Sequence, residues 1–201
     1  MTAPGHPLFR PFFHAATSLA AVALGVLPYP WTIACAALGI FAGFVVIPRT
    51  PLEARLKRPG EPFLGGLRTY PLAVLGLVVL LPPLEAAAAW GVLGFGDAGA
   101  AVVGGLVPAP SLFGHKKATW SGTPAYVVLG TLGAFGLASA VAAVAPAVGW
   151  VTEVGPGPGL PACLLAATAA ALVDLVPIPP DDNVPSALAA GGTLWALKTL
   201  V

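Results

Sequence analysis

Seven apolar stretches separated by turn-forming segments are the strongest constraint on the fold of this sequence. A helix that crosses a bilayer needs about 20 apolar residues, and these stretches approach that length. Segments rich in Pro or Gly, such as Pro28-Tyr29-Pro30 and Gly155-Pro156-Gly157-Pro158, separate them. The fourth is the weakest candidate, because it is rich in Gly and is interrupted by Asp97. The predicted spans are Pro11–Leu27, Trp31–Ile47, Thr69–Leu84, Glu85–Val107, Thr123–Ala145, Leu160–Val176 and Val184–Leu200.

The scarcity of charge supports a membrane location. Only 8% of residues are charged and the mean hydropathy is +0.90, whereas about a quarter of the residues in soluble domains are charged. We therefore predict an all-α, polytopic helical bundle in which residues 1–201 form a single integral membrane domain. The net charge of +1 gives no reason to expect a nucleic acid partner. Cys35 and Cys163 lie in apolar runs, which predicts buried thiols rather than a disulfide or a zinc site.

The basic residues predict the orientation, because Lys and Arg in short loops favour the cytoplasm. With about seven spans, nearly all of them fall on one side, and only Lys198 lies near the other. We therefore predict a cytoplasmic N-terminus in the cytoplasmic (inner) membrane, with any active site facing the cytoplasm. The bases that share this side are Arg10, Arg49, Arg55, Lys57, Arg58, Arg68, Lys116 and Lys117.

Acidic residues lie at membrane depth or gather on the same predicted side. Carboxylates inside a bilayer are costly and usually functional, which makes Asp97 and Asp174 candidate catalytic residues. Asp181-Asp182-Asn183 follows a Pro-rich bend, and hard oxygen ligands of this kind suit Mg²⁺ with a substrate phosphate. We expect Mg²⁺ as the cofactor, held by Asp97, Asp181, Asp182 and Asn183. The alternatives are that Asp97 is a carboxylate that only packs between helices and that Asp174 is a hydrated residue at a helix end. For Asp181-Asp182-Asn183 the alternative is an acidic turn.

A second group of residues is suited to anions. Lys116 and Lys117 precede Thr119, Gly122 and Thr123 at the predicted start of the fifth span, and a helix N-terminus binds phosphate through its N–H groups and dipole. The alternative is that Lys116 and Lys117 only anchor the helix on the cytoplasmic side, which would not explain the Thr and Gly residues that follow them. Arg10 and His14 are four residues apart at the start of the first span and so share a face. The alternative for Arg10 is that its charge only sets the orientation in the membrane. The alternative for His14 is that it only lies at the membrane interface.

Acids suited to a metal, bases suited to phosphates and a lipid environment together suggest phosphoryl or nucleotidyl transfer to a substrate dissolved in the membrane. Asp97, Asp181 and Asp182 would hold the metal or activate a hydroxyl. Phosphates would be bound, mostly by positioning and charge neutralisation, by Lys117, Thr119, Gly122 and Thr123.

The sequence also resembles the polyprenol kinase family, CTP-using membrane transferases that include dolichol kinase and phytol or farnesol kinase. Their nucleotide motif is Asp-x-x-Ala, three residues, Gly, three residues, Gly, eight residues, then Lys-Lys-Thr-x-Glu-Gly. Three positions depart from it, namely Pro108, Ala118 and Ser121, and Lys116 could replace the missing lysine by a shift of one residue. The positions in register are Asp97, Ala100, Gly104, Lys117, Thr119 and Gly122.

Two further family motifs occur in order. Arg-Lys-x-x-His reads Arg10-Pro11-Phe12-Phe13-His14 here, and Asp174 replaces a Glu that precedes an intact Asp181-Asp182-Asn183. The resemblance implies CTP as the donor, although the residues alone imply only a nucleoside triphosphate. It also implies an isoprenoid alcohol as the acceptor, and it assigns Arg10, Ala100 and Gly104 to the nucleotide and His14 and Asp174 to catalysis.

Two other functions remain open from the sequence. A cytidylyltransferase would use the same donor but release pyrophosphate and form a CDP-lipid. A small transporter without enzymatic activity would also contain acids within the membrane, although no inverted repeat supports it. The sequence leaves open whether Glu61 or Tyr70 joins the site, which alcohol is used, and whether the protein forms a homodimer.

Overall fold

The computed structural model describes residues 8–57, 60–112, 118–148 and 155–200, and this part of the chain is helical. The only extended pairing among these residues is an isolated antiparallel bridge between Ser111 and Thr119. The prediction of an all-α fold is confirmed. The helices are α1 (Phe9–Val26), α2 (Tyr29–Arg49), α3 (Leu52–Leu56), α4 (Gly66–Leu80), α5 (Pro83–Leu106), α6 (Gly122–Val148), α7 (Leu160–Asp174) and α8 (Asn183–Leu200).

Each predicted span corresponds to one of the seven helices of 15 or more residues, which we call the long helices. Proline determines several of the ends: Leu27 is extended before Pro28, and α2 and α5 have Pro within their first two positions. Pro restricts the preceding residue to extended conformations and suits the first turn of a helix, where an N–H has no helical partner. Two helices are irregular, since α1 contains a 3-10 turn at Leu19–Val22 and α2 contains a π segment at Ala42–Val46.

Four of these helices are long and apolar enough to cross a membrane, namely α1, α2, α5 and α6. Helices α4 and α7 are apolar but have 15 residues each. At a rise of 1.5 Å per residue, such a helix is about 22 Å long, less than the hydrocarbon thickness of about 30 Å. The chain is therefore an all-helical protein with apolar helices of membrane-spanning length.

Successive long helices run in opposite directions. The starts of α1, α4 and α8 meet at one end of the bundle, where Asn183 donates to the Gly66 carbonyl and Arg10 lies beside Gly66. We call this the Arg10 end. At the other end, Lys198 near the end of α8 pairs with Glu85 at the start of α5 at 2.8 Å. Lys198, the one Lys or Arg on that side in the described part of the chain, is therefore paired with an acid.

Helix α5 is the centre of the bundle, which makes its description as the weakest candidate wrong. It packs against α1, α4, α6, α7 and α8. Small residues allow this close approach: a Cβ added at Gly91 would lie 2.5 Å from the Gly133 carbonyl oxygen of α6. Small side chains at helix interfaces let backbones pack closely within membranes. Five of its six glycines are contact points with neighbouring residues, and Gly105 is the exception.

Helix α2 is peripheral, because only 17% of its apolar window is buried. Its contacts are mainly with α4, where Gly43 lies against Leu67 and Pro71. Cys163 is buried as predicted, but Cys35 on α2 is exposed. The prediction for Cys35 was wrong because an apolar run does not show which of its faces meets another helix.

Candidate functional site

Arg10 lies at the polar centre of the Arg10 end. Its guanidinium Nη1 donates to both carboxylate oxygens of Glu61, at 3.1 and 3.0 Å, and to the Leu56 carbonyl at 3.4 Å. Both side chains of this ion pair are buried. A side chain at Gly66 would collide with this arrangement, since its Cβ would lie 1.9 Å from Arg10 Nη2. Glu61, which the sequence left undecided, therefore belongs to the site and neutralises Arg10.

Asp181 and Asn183 connect the start of α8 to α4. Asp181 Oδ1 accepts hydrogen bonds from the Thr69 hydroxyl and the Asn183 backbone N–H, both at 3.0 Å. Asn183 Nδ2 donates to Thr69 Oγ1 at 3.0 Å and to the Gly66 carbonyl at 3.3 Å. Burial raises the pKa of Asp181, and Asp182 adds to the increase, against the opposing hydrogen bond from the Asn183 N–H. One oxygen of this predicted metal ligand is thus already satisfied by two donors.

His14 and Asp97 meet one turn deeper in the bundle. His14 Nδ1 lies 2.9 Å from Asp97 Oδ2, which joins α1 to the middle of α5. The His14 side chain is almost completely buried, while that of Asp97 is 25% exposed. These two residues are 83 positions apart in the chain, and both were predicted to be catalytic. The structure brings them together as a hydrogen-bonded pair.

Tyr70 holds His14 from the side of α4. The two rings are stacked, with centroids 4.4 Å apart and 24° between their planes. The Tyr70 hydroxyl is 2.8 Å from Ser18 Oγ, donates to the His14 carbonyl at 3.2 Å, and accepts from Trp90 Nε1 at 3.0 Å. Tyr70, also undecided from the sequence, therefore joins the site through a network that spans three helices.

The three predicted catalytic carboxylates lie near Tyr126 on α6. Asp174, Asp97 and Asp182 are all within electrostatic range of its phenol. The Tyr126 hydroxyl and the nearby Ser186 hydroxyl are buried, and neither forms a hydrogen bond of normal geometry within the described residues. Sequence reasoning missed both, because nothing distinguishes them from packing residues of apolar helices.

Four residues of the predicted nucleotide motif also come together where α5 ends and α6 begins, namely Ala100, Gly104, Thr119 and Gly122. A Cβ at Gly122 would lie 2.9 Å from Thr119 Oγ1 and 3.0 Å from the Ala100 carbonyl, and one at Gly104 would lie 3.1 Å from the same hydroxyl. Thr119 Oγ1 accepts from the Gly122 N–H at 2.9 Å, as an N-cap hydroxyl does. Thr123 follows in the first turn of α6, where its N–H donates to the Thr119 carbonyl at 3.0 Å.

The segment between these helices carries the predicted lysines. Its two sides are joined by hydrogen bonds from Leu112 N to the Ala118 carbonyl at 2.8 Å and from Trp120 N to the Pro110 carbonyl at 3.1 Å. Ser121, at the position of the family's Glu, donates to the Val107 carbonyl at 2.9 Å at the end of α5. Lys116 and Lys117 lie outside the described residues, so their roles stay predictions.

A cavity of about 400 Å³ lies between α1, α2 and α4. Its wall is almost entirely apolar and includes small residues of α2 such as Ala36, Gly39 and Gly43. His14 and Tyr70 also line it, so the histidine that is hydrogen-bonded to Asp97 borders an apolar space. The volume lies within the range of about 300–1,000 Å³ typical of small-molecule sites. The sequence did not predict this cavity, although the Gly and Ala positions of α2 form a stripe of small residues.

Known proteins give no independent indication of a family. No family model matches the chain, and neither the curated proteins nor the solved structures include a significant match.

Proposed function

We propose that this chain is a membrane kinase that transfers the γ-phosphoryl group of CTP, or of another nucleoside triphosphate, to the hydroxyl of an isoprenoid alcohol. One observation carries the proposal: an apolar cavity between membrane helices has His14 in its wall, and His14 is hydrogen-bonded to Asp97. A ligand suited to this space has a hydrocarbon chain and one polar group. An isoprenoid alcohol has that form, and its hydroxyl would reach His14.

The donor would bind where α5 ends and α6 begins. Gly104 and Gly122 let the end of α5 pack closely against the start of α6, beside the Thr119 hydroxyl. The N-terminus of a 27-residue helix attracts phosphate through its dipole. Lys116 and Lys117 precede this turn and would add positive charge. This arrangement supports a nucleoside triphosphate, and the resemblance to polyprenol kinases is the basis for CTP.

Mg²⁺ fits the site as part of a metal–nucleotide complex. The described residues contain no group of three or more His, Cys, Asp or Glu that could hold a metal ion alone. Mg²⁺ in phosphotransferases commonly takes one or two carboxylates, with substrate phosphates and water as the other ligands. We propose Asp182 and Asp97 as the carboxylates that bind the ion. Asp181 Oδ1 and the Asn183 amide form hydrogen bonds with neighbouring groups. Bound Mg²⁺ would neutralise charge on the phosphates.

The membrane arrangement proposed here has seven crossings, with a cytoplasmic N-terminus in the cytoplasmic membrane. The alternating helix directions support it, since the starts of α1, α4 and α8 meet at the Arg10 end. Arg10 and Arg68 lie at that end, whereas Lys198 lies at the opposite end. By the positive-inside rule, the Arg10 end faces the cytoplasm, where nucleotides are available.

A transfer assay tests the proposal. The purified protein in detergent is incubated with Mg²⁺, a γ-labelled nucleoside triphosphate and farnesol, geranylgeraniol, phytol or a long polyprenol, and label is measured in the lipid phase. We expect a labelled lipid monophosphate, and its loss in Asp182→Asn with the fold retained. Lack of label with CTP, ATP, GTP and UTP for every alcohol would refute the kinase.

Cys35 provides a second readout that does not depend on turnover. It is exposed and lines the cavity, whereas Cys163 is buried in the core. An alcohol bound in the cavity should slow the alkylation of Cys35 by a membrane-permeant maleimide. Cys163 serves as the internal control and should react only after unfolding. Alkylation at the same rate with and without alcohol would argue against the cavity as the acceptor site.

A further inference from the structure

We infer that His14 Nε2 removes the proton from the acceptor hydroxyl, with Asp97 and Tyr70 as positioning residues. This inference rests on the proposed function. It gives Asp97 a role beside the nucleotide role that its motif suggests, and it gives Tyr70 a role that the sequence did not assign.

The hydrogen bond to Asp97 determines the tautomer of His14. A carboxylate only accepts hydrogen bonds, so the 2.9 Å contact places the proton of neutral His14 on Nδ1. Nε2 on the opposite side of the ring then carries a lone pair. Within the described residues no group donates a hydrogen bond to this nitrogen. This is the arrangement in which a carboxylate orients an imidazole that acts as a base.

Tyr70 restricts the orientation of the ring. It stacks on the imidazole at 4.4 Å, and its hydroxyl is held by Ser18 of α1 and Trp90 of α5. The same hydroxyl donates to the carbonyl of His14 itself. Both the ring and the backbone of His14 are therefore held by one residue of α4. Such support is required of a base that must lie within hydrogen-bonding distance of a hydroxyl.

Ionisable groups from four helices surround His14, which borders the cavity. The ionisable groups around His14 are Asp97 from α5, Tyr70 from α4, Cys35 across the cavity on α2 and Arg10 one turn earlier on α1. Arg10 forms its ion pair with Glu61, so its charge is compensated. His14 is 3% exposed and lines the cavity, so a ligand in the cavity has access to the ring.

The chemical step is balanced without a further reactant. The hydroxyl oxygen forms a bond to the γ-phosphorus, and the bond between that phosphorus and the bridging oxygen of the leaving diphosphate breaks. The hydroxyl proton passes to His14 Nε2, and the nucleoside diphosphate leaves with the bridging electron pair. His14 then returns the proton to solvent or to the departing product.

His14→Asn is the direct test, because an Asn amide can still donate to Asp97 from a position near that of Nδ1 but cannot act as a base. We expect kcat to fall by about 10²- to 10⁴-fold, while the alcohol still protects Cys35 from alkylation as in the wild type. Tyr70→Phe keeps the stacked ring and should reduce kcat with little change in KM.

The outcomes separate the inference from the proposed function. A His14→Asn variant with a kcat within twofold of the wild type would overturn the role of His14 while leaving the kinase intact. A wild-type protein that phosphorylates no alcohol with any nucleotide would overturn the proposed function and this inference together.

Discussion

The closest approach between α1 and α5 predicts that Gly94→Ala destabilises the protein. A Cβ at this position would lie 1.6 Å from Ser18 Oγ, 2.7 Å from Ser18 Cβ and 3.0 Å from the His14 carbonyl oxygen. Rotation of the Ser18 hydroxyl relieves only the first of these contacts, because the other two involve its Cβ and the backbone of α1. The helices must therefore separate, and overpacking of this kind costs about 1–3 kcal/mol.

A matched variant isolates this cost. Gly105→Ala makes the same change in the same helix, where a Cβ would meet nothing within 4 Å. Both variants gain the helix propensity of Ala, up to about 1 kcal/mol, so the difference between them reports the collision. At about 2–4 °C per kcal/mol for a chain of this size, we expect Tm of Gly94→Ala to lie about 2–12 °C below that of Gly105→Ala.

Thermal unfolding in a mild detergent, followed by size-exclusion chromatography, measures the difference. Gly94→Ala should also lower phosphoryl transfer, because the displaced backbone carries His14. Equal Tm values for the two variants would show that α1 and α5 do not approach as closely as described, and the geometry of the His14–Asp97 pair would lose its basis.

Three further predictions concern the two ends of the bundle. Gly66→Ala should lower both Tm and the rate of phosphoryl transfer, because its Cβ would lie 1.9 Å from Arg10 Nη2 and 3.1 Å from Asp181 Oδ2. Gly76→Ala in the same helix is the control and should lower neither, because its Cβ would meet nothing within 4 Å. Lys198→Met leaves the buried Glu85 carboxylate without its partner at 2.8 Å. It should lower the free energy of unfolding by about 1–2 kcal/mol, a figure reduced because the Lys198 amine is exposed. The double variant with Glu85→Gln should recover most of this loss in the same unfolding assay. Because burial raises the pKa of Asp181 above its ordinary value of 3.8, the folded state binds this proton more tightly, so its contribution to stability falls as the pH rises from that value through the folded pKa. Asp181→Asn, which still accepts from Thr69 and the Asn183 N–H, should remove this dependence; a wild-type Tm that does not fall relative to that of the variant between pH 4 and pH 7 would contradict the assignment.

The helices were predictable because long apolar runs and Pro-rich turns are local features. Every predicted span, including Glu85–Val107, corresponds to a helix. The rank given to that span was wrong, because Gly91 and Gly94 were counted as weak helix formers when they are the positions where other helices touch α5. Close contact depends on the partner helix, which a local pattern does not identify.

The candidate site was predictable only in part. Asp97 was identified as a carboxylate within an apolar run and His14 by its spacing from Arg10, and the structure joins them. Glu61 and Tyr70 stayed undecided, since a loop carboxylate and a membrane tyrosine are common, and only the fold brings them to Arg10 and His14. The cavity was not predictable, because its volume depends on the spacing of three helices.

The origin of the transferred group tests the central claim most directly. The wild-type protein is incubated with Mg²⁺, geranylgeraniol and CTP that carries distinguishable labels at the α and γ phosphorus, and both labels are counted in the extracted lipid. Our account predicts γ label alone, in a lipid monophosphate, with CDP as the other product. Label from the α position in a CDP-lipid would identify a cytidylyltransferase, and the absence of both labels would contradict the account.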